Sequence, residues 1–201
     1  MANDQFESYI EIFRENHGIL RAARAIRLGI PEYVIYEMAR KGKVVKESRG
    51  LYRLAESQPL GNPDFIQVNL LIPKGVLFLI SALYFHKLTT QIPHYVYVAL
   101  PQSIKKTRMI YPPVKFFYRS DRQYLAGIQE YIIDGIAVRI YDKEKTITDC
   151  FMYRKQIGGD IALEALKDYM HQPSPNTHLL MEYARINRVE KLMRPYVEIL
   201  V

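Results

Sequence analysis

Residues 29–54 read GIPEYVIYEMARKGKVVKESRGLYRL, and this stretch decides the fold. Gly29 stands where a helix needs a left-handed C-cap. Pro31 suits the first turn of the next helix, because its missing N–H would have no partner there. Ile35, Met38 and Ala39 then return at helical spacing and mark an inner side, until Gly42 stops the run. Lys43–Glu47 and Leu51–Leu54 are β-prone, and Ser48-Arg49-Gly50 between them makes a tight hairpin tip.

Upstream, Phe6, Tyr9, Ile10 and Phe13 predict an amphipathic helix over residues 4–16, capped by Asn3 or Asp4 and ended by Asn16-His17-Gly18. Leu20, Ala23 and Ile26 predict a short second helix over about 19–28, with those three facing inward. One helix, two more joined by a glycine turn, and then a hairpin is the order of a winged helix-turn-helix. Three short helices with a hairpin also suit a protein-interaction module, so charge has to discriminate.

Residues 55–63 carry two prolines and a glycine without periodicity and read as a connector. The expected division is a DNA-binding domain over 1–57, a linker over 58–63 and a second domain over 64–201. In that second domain, Asp64–Ile72 and Gly75–His86 read as apolar helices. Tyr95–Leu100, Val114–Tyr118, Ile128–Ile133 and Ile136–Tyr141 read as strands, the last pair joined by the type I′ signal Asp134-Gly135. Helices are predicted from Asp142, Gly158 and Ser174 onward, and Val189, Leu192, Met193 and Tyr196 continue helically to the terminus. The fold class is therefore α+β: an N-terminal winged helix-turn-helix, then a mixed α/β domain ending in helices.

The chain carries a formal charge of +7, and its 49% apolar content, with 8 Phe and 16 Tyr, excludes wholesale disorder. Between Arg14 and Arg53 stand ten Lys and Arg (14, 21, 24, 27, 40, 41, 43, 46, 49, 53) against four Glu (15, 32, 37, 47), a surplus of six. Charge concentrated on one small module is the footprint of phosphate binding. The expected DNA-binding residues are Arg21 and Arg24 on the flank of the second helix, Tyr33, Tyr36, Arg40 and Lys41 on the third, and Lys43, Lys46 and Arg49 on the wing. Tyr can bond a phosphate or pack on a thymine methyl, and Arg40 could grip guanine or merely a phosphate. Glu32 and the Arg21, Arg24, Arg27 row also fit blander roles, a helix-dipole acid and a solvated face. Lys105, Lys106, Arg108, Lys115, Arg119 and Arg122 either extend the track or face water. The segment 1–57 is expected to bind DNA alone.

Other chemistries find little support. The one cysteine, Cys150, sits in an apolar helical stretch, reads as a buried structural thiol and implies a reducing compartment. No secretory leader opens the chain, and Val76–Phe85, the longest apolar run, is too short for a bilayer; a cytoplasmic protein without membrane contact is expected. Asp134, Asp142 and Glu144 could suggest a metal-dependent nuclease, but Lys143, not an acid, stands two before Lys145. Asp149 reads as a helix-surface ion. His86 and His94 lack further ligands at metal spacing, and His86 reads as a C-terminal dipole partner. Ser81 lacks a nucleophile-elbow glycine pattern, and Gly158-Gly159 lacks the Lys of a phosphate loop. No catalytic residue, metal or cofactor is expected.

The chain resembles the AbiEi family of antitoxins from type IV toxin–antitoxin systems of bacterial phage defence. The resemblance rests on Gly29-Ile30, on Arg49-Gly50-Leu51-Tyr52-Arg53-Leu54, and on Ser81–Thr89 with Gln91-Ile92-Pro93. Val96–Ala99, Asp142–Asp149, Arg154–Gly158 and Tyr183-Ala184 add to it. It implies an amino-terminal winged helix that represses its own operon at inverted repeats of double-stranded DNA. It further implies a carboxy-terminal domain that counters a nucleotidyltransferase-like toxin without a stable complex. Only the wing and the third helix carry over as DNA-contact positions.

Overall fold

A computed structural model describes residues 6–105 and 111–200. The expected caps Asn3 and Asp4, and the cations Lys106 and Arg108, lie outside the described residues. The architecture is α+β, with an N-terminal winged helix followed by a mixed α/β part that ends in helices. Two compact units divide the chain. One runs to Leu71 and includes Ile132–Ala137; the other holds Ile72–Tyr131 and Val138–Val201.

The first unit is built from α1 (Glu7–Glu15), β1 (Ile19–Arg21), α2 (Ala22–Arg27), α3 (Glu32–Arg40), β2 (Val44–Ser48), β3 (Leu51–Leu54) and α4 (Pro63–Leu71). Phe6, Ile10 and Phe13 from the first helix meet Ile30, Val34, Ile35 and Met38 in one core. Each such side chain taken from water contributes roughly 1.5–3 kcal/mol. Residues 19–21, expected to be helical, instead form the third strand of a β1-β3-β2 sheet, with Ile19 opposite Arg53 and Leu20 opposite Tyr52. Local propensity there yields to pairing: His17 (φ 58) and Gly18 (φ 74) reverse the chain into the open edge of β3. The remaining helix is only Ala22–Arg27, so Ala25 and not Ala23 or Ile26 faces the core. Pro31 sits one place earlier than expected, as the N-cap of α3.

Helix α4 packs with the first unit, so the unit ends at Leu71, later than the 58–63 connector. Gln67 is the reason. Its amide nitrogen donates to the Arg49 carbonyl at 2.8 Å, and its amide oxygen accepts a short bond from the Ser48 hydroxyl. Later in the chain, residues 132–137 complete the same unit. Asp134 accepts from the Gly61 N–H at 3.1 Å, and the Ala137 carbonyl accepts from Asn69 at 2.7 Å.

The second unit contains β4 (Val76–Leu77), α5 (Leu79–Phe85), β5 (Val96–Pro101), β6 (Val114–Arg119), α6 (Asp121–Leu125) and the greater part of β7 (Ile128–Ile133) and β8 (Ile136–Tyr141), whose joined ends count with the first. Five helices follow: α7 (Lys143–Met152), α8 (Arg154–Ile157), α9 (Gly159–Met170), α10 (Thr177–Ile186) and α11 (Glu190–Leu200). The strand order is β6-β5-β4-β8-β7, with β5–β6 and β4–β8 parallel and β4–β5 antiparallel. The expected helix from Gly75 thus opens as a strand. A central strand, buried on both faces, has no polar alternation to separate it from a buried helix. Asp134 (φ 49) and Gly135 (φ 81) both take the left-handed conformation that the type I′ turn requires. Asp142 caps α7 by accepting from the Lys145 N–H at 2.7 Å.

Candidate nucleic-acid interface

Helix α3 buries Val34, Ile35 and Met38 and turns two tyrosines outward. Tyr33 is 70% and Tyr36 56% exposed, so their rings gain nothing from the core. The Tyr36 hydroxyl donates to Glu32 at 3.3 Å. Arg40 forks onto Glu37, one turn back, at 2.7 and 3.1 Å. This pair lies in water, and each group holds the other charged: Glu37 is pushed down by Arg40, and Arg40 is pushed up by Glu37. Engaging a phosphate or a guanine with Arg40 means exchanging that partner, a small cost for an exposed pair. Lys41 follows on the exposed side.

On the wing, Lys46 and Arg49 are exposed and Lys43 is half-buried. The ladder shifts between Lys46 and Ser48, leaving Glu47 as the extra residue of a bulge. Arg53, one of the ten cations counted in the sequence, is 5% exposed and pairs with Glu47 at 2.5 Å. It also donates to the Leu54 carbonyl at 2.7 Å and to that of Ser57, so it braces the hairpin and is withdrawn from any ligand. Arg14 is engaged by Glu7, Glu11 and Glu56. Arg21, Arg24, Arg27, Lys41, Lys46 and Arg49 have no ion pair among the described residues.

Arg21, Arg24 and Arg27 line one recess of about 290 Å³, together with Glu15 and His17. Arg21 ends β1 and caps α2, and its Nε is buried without a hydrogen-bond partner. Burial, then the neighbouring Arg27 charge, holds its pKa below the ordinary arginine value. Such a cation is short of a counter-charge, which a phosphate oxygen would supply.

Other sequence candidates meet different fates. The His86 Nε2–H donates to the Tyr141 carbonyl at 2.7 Å, and burial lowers its pKa, which favours the neutral imidazole over a dipole-paired cation. Ser81 is fully buried, and its hydroxyl accepts from the Tyr97 N–H at 3.0 Å, which makes it a strand tie. Cys150 is buried, and burial pushes its thiol well up, away from the reactive thiolate. No cluster of His, Cys, Asp or Glu able to hold a metal occurs among the described residues. No helix among them is long and apolar enough to cross a membrane.

Two expectations about surface charge are overturned in the second unit. Asp149 is not a helix-surface ion but fully buried, accepting from Lys145 at 2.5 and 2.6 Å, Arg119 at 3.2 Å and Asn187 at 2.8 Å. Arg119 is 2% exposed and so belongs to no DNA track. Alternation would not have found it: Arg119 closes β6 on the face that it shares with exposed Lys115, and a cation at a strand end reads by default as solvated. Gln67, which fixes the wing backbone, carried no signal that set it apart from Asp64 and Asn69 in the same helix.

Residues 7–55 match the AbiEi_4 family, described as "Transcriptional regulator, AbiEi antitoxin". The match ends one residue beyond β3 and so spans the three helices and the wing. No curated protein matches the chain. The crystal structure of RV2827C protein from Mycobacterium tuberculosis superposes with a TM-score of 0.53 at 10% sequence identity, over 95% of this chain and 79% of that one. A likeness at that identity speaks for the fold alone.

Proposed function

We propose, from an amino-terminal segment (residues 7–55) that matches the AbiEi_4 antitoxin transcriptional regulators, that this chain is an operator-binding autorepressor and antitoxin. The family match, lying on the winged helix, carries the reading. Tyr33, Tyr36 and Arg40 of α3, with Lys41 at its C-cap, meet the major groove, where a recognition helix reads base edges. Lys43, Lys46 and Arg49 of the wing, with Arg21 and Arg24, neutralise phosphates. Two exposed tyrosines on α3, and the absence of an ion pair at Arg21, Arg24, Lys41, Lys46 and Arg49 among the described residues, support that assignment. Inverted repeats in double-stranded operator DNA are the expected target. The second unit opposes a nucleotidyltransferase-like toxin without forming a stable complex with it, and the protein works in the cytoplasm.

The test is fluorescence anisotropy with the protein's own promoter fragment at several salt concentrations. Neutralising about four to six phosphates per protomer gives a slope of log K against log salt of roughly −4 to −5. A flat response would favour a protein-interaction scaffold. Metal-dependent cleavage of the probe would identify a nuclease instead.

A further inference from the structure

A second cationic recess lies wholly within the carboxy-terminal unit. Ser120, Arg122 and Gln123 at the start of α6, Met152 at the end of α7, and Arg185 to Arg188 at the end of α10 enclose about 390 Å³. That volume suits a small molecule, since ligand sites begin near about 300 Å³. Three guanidiniums line it and no carboxylate does. Arg185 is met from outside by Glu190 at 3.2 Å, whereas Arg122 and Arg188 have no ion pair among the described residues.

The ground beneath is positive as well. Asn187 on the recess wall accepts from Arg119 at 3.0 Å, and Met152 sulfur lies 3.2 Å from the same guanidinium. Arg119 and Lys145 are both buried and share one carboxylate, Asp149. The Arg119 Nε is buried with no hydrogen-bond partner. Asp142, the next carboxylate, is engaged by the Lys145 N–H and by the Tyr183 hydroxyl at 3.0 Å. A recess walled by arginines over a buried cation surplus attracts anions and leaves cations outside.

Arg188 also offers a substitution that tests the recess without unfolding the chain. It follows α10 in the left-handed conformation (φ 58), where the Val189 N–H closes back on the Ala184 carbonyl at 2.8 Å. Glycine is the residue that this helix-end position accepts without strain. An arginine held there, as His17 and Lys87 are at their own helix ends, carries a conformational cost that Arg188→Gly would remove.

We infer that this recess binds a free phosphorylated small molecule of nucleotide size, its phosphates held by Arg122, Arg185 and Arg188 and its polar edge met by Ser120 and Gln123. The concave, half-enclosed shape favours such a ligand over a duplex backbone, which needs cations on an open surface. The inference stands apart from the operator reading, because none of these residues belongs to the winged helix.

The test is thermal unfolding of the full chain with pyrophosphate, a nucleoside triphosphate, and a non-operator duplex, each titrated separately. At ten times Kd, a ligand of the folded state raises Tm by about 3–6 °C for a chain of this size. Pyrophosphate or the triphosphate is expected to give that shift. Arg188→Gly is expected to keep or raise the unliganded Tm, since it relieves a left-handed arginine, while weakening the ligand at least tenfold; Arg122→Ala is expected to weaken it similarly. No shift with either free phosphate compound, a shift with the duplex alone, or equal shifts in wild type and both variants would overturn the inference.

Discussion

The buried ions of the second unit set up an asymmetric double test. Among the described residues, Asp149 is the only carboxylate that bonds both Lys145 and Arg119, at 2.5 and 3.2 Å, with all three side chains at or near zero exposure. Asp149→Ala removes it and leaves two cations facing each other out of water. Breaking a buried pair in that way costs about 3–5 kcal/mol. Lys145→Met is a different perturbation, although it strikes the same contact. It leaves Arg119 and Asp149 balanced, keeps the Asn187 bond to the carboxylate, and removes an ammonium whose pKa burial already pulls down. With the carboxylate still paired to Arg119, no buried charge is left uncompensated, and the expected cost is about 0–2 kcal/mol, below that of Asp149→Ala. At roughly 2–4 °C per kcal/mol for a protein of this length, Asp149→Ala lowers Tm by about 6–20 °C and Lys145→Met by less than about 8 °C. Urea unfolding followed by circular dichroism gives both energies. Equal losses, or the reverse order, would refute the view that the surplus is positive and that Asp149 is its centre.

Four further outcomes follow from the geometry. Burial lifts the Asp142 carboxyl from 3.8 to about 6, so its protonated form is favoured by the fold; that stabilisation is complete below about pH 4 and falls away by about 3 kcal/mol as pH rises through 6. Asp142→Asn keeps the helix cap and lacks this slope, so the wild-type-minus-variant unfolding energy measured from pH 3.5 to 7.5 should fall by that amount, and a constant difference would contradict it. Arg49→Ala should weaken all DNA sequences alike, whereas Tyr36→Ala or Arg40→Ala should cost about 1–3 kcal/mol mainly on the operator; equal losses of Tyr36→Ala on operator and random duplex would displace α3 from the groove. Gln67→Ala, which strips the Ser48 and Arg49 bonds from the wing, should cost about 1–3 kcal/mol in the unfolding of the first unit. For the same reason a 1–71 fragment should melt higher than a 1–57 fragment, and matching melts would deny α4 its part in the wing.

The winged helix was legible because its signals are local. Gly29, Pro31 and Gly42 bracket α3, and the Arg49-Gly50 tip lies between two β-prone runs, so each boundary falls within a residue or two of its expected place. The errors occur where distant partners decide. Ile19–Arg21 is a strand only because β3 offers an edge thirty residues away, and Val76-Leu77 is a strand only because β5 and β8 flank it. Charge suffered likewise. A count of ten cations treats Arg14, Arg53 and Arg24 as equals, but one is held by three surface glutamates, one braces a hairpin from inside, and one is exposed without a carboxylate. Arg119 and Asp149 were read as outward because charged residues seldom lie fully buried unless paired, and pairing across thirty residues leaves no trace in a sequence.

The amino-terminal unit is not continuous along the chain. Gly61 and Asn69 find Asp134 and the Ala137 carbonyl 73 and 68 residues downstream. A ribosome adding about 5–20 residues per second therefore releases the wing and its α4 brace some 3–15 seconds before the last piece of that unit exists. During that interval the nascent chain has its winged helix without full support, and the order of translation itself separates the appearance of α3 and the wing from their consolidation.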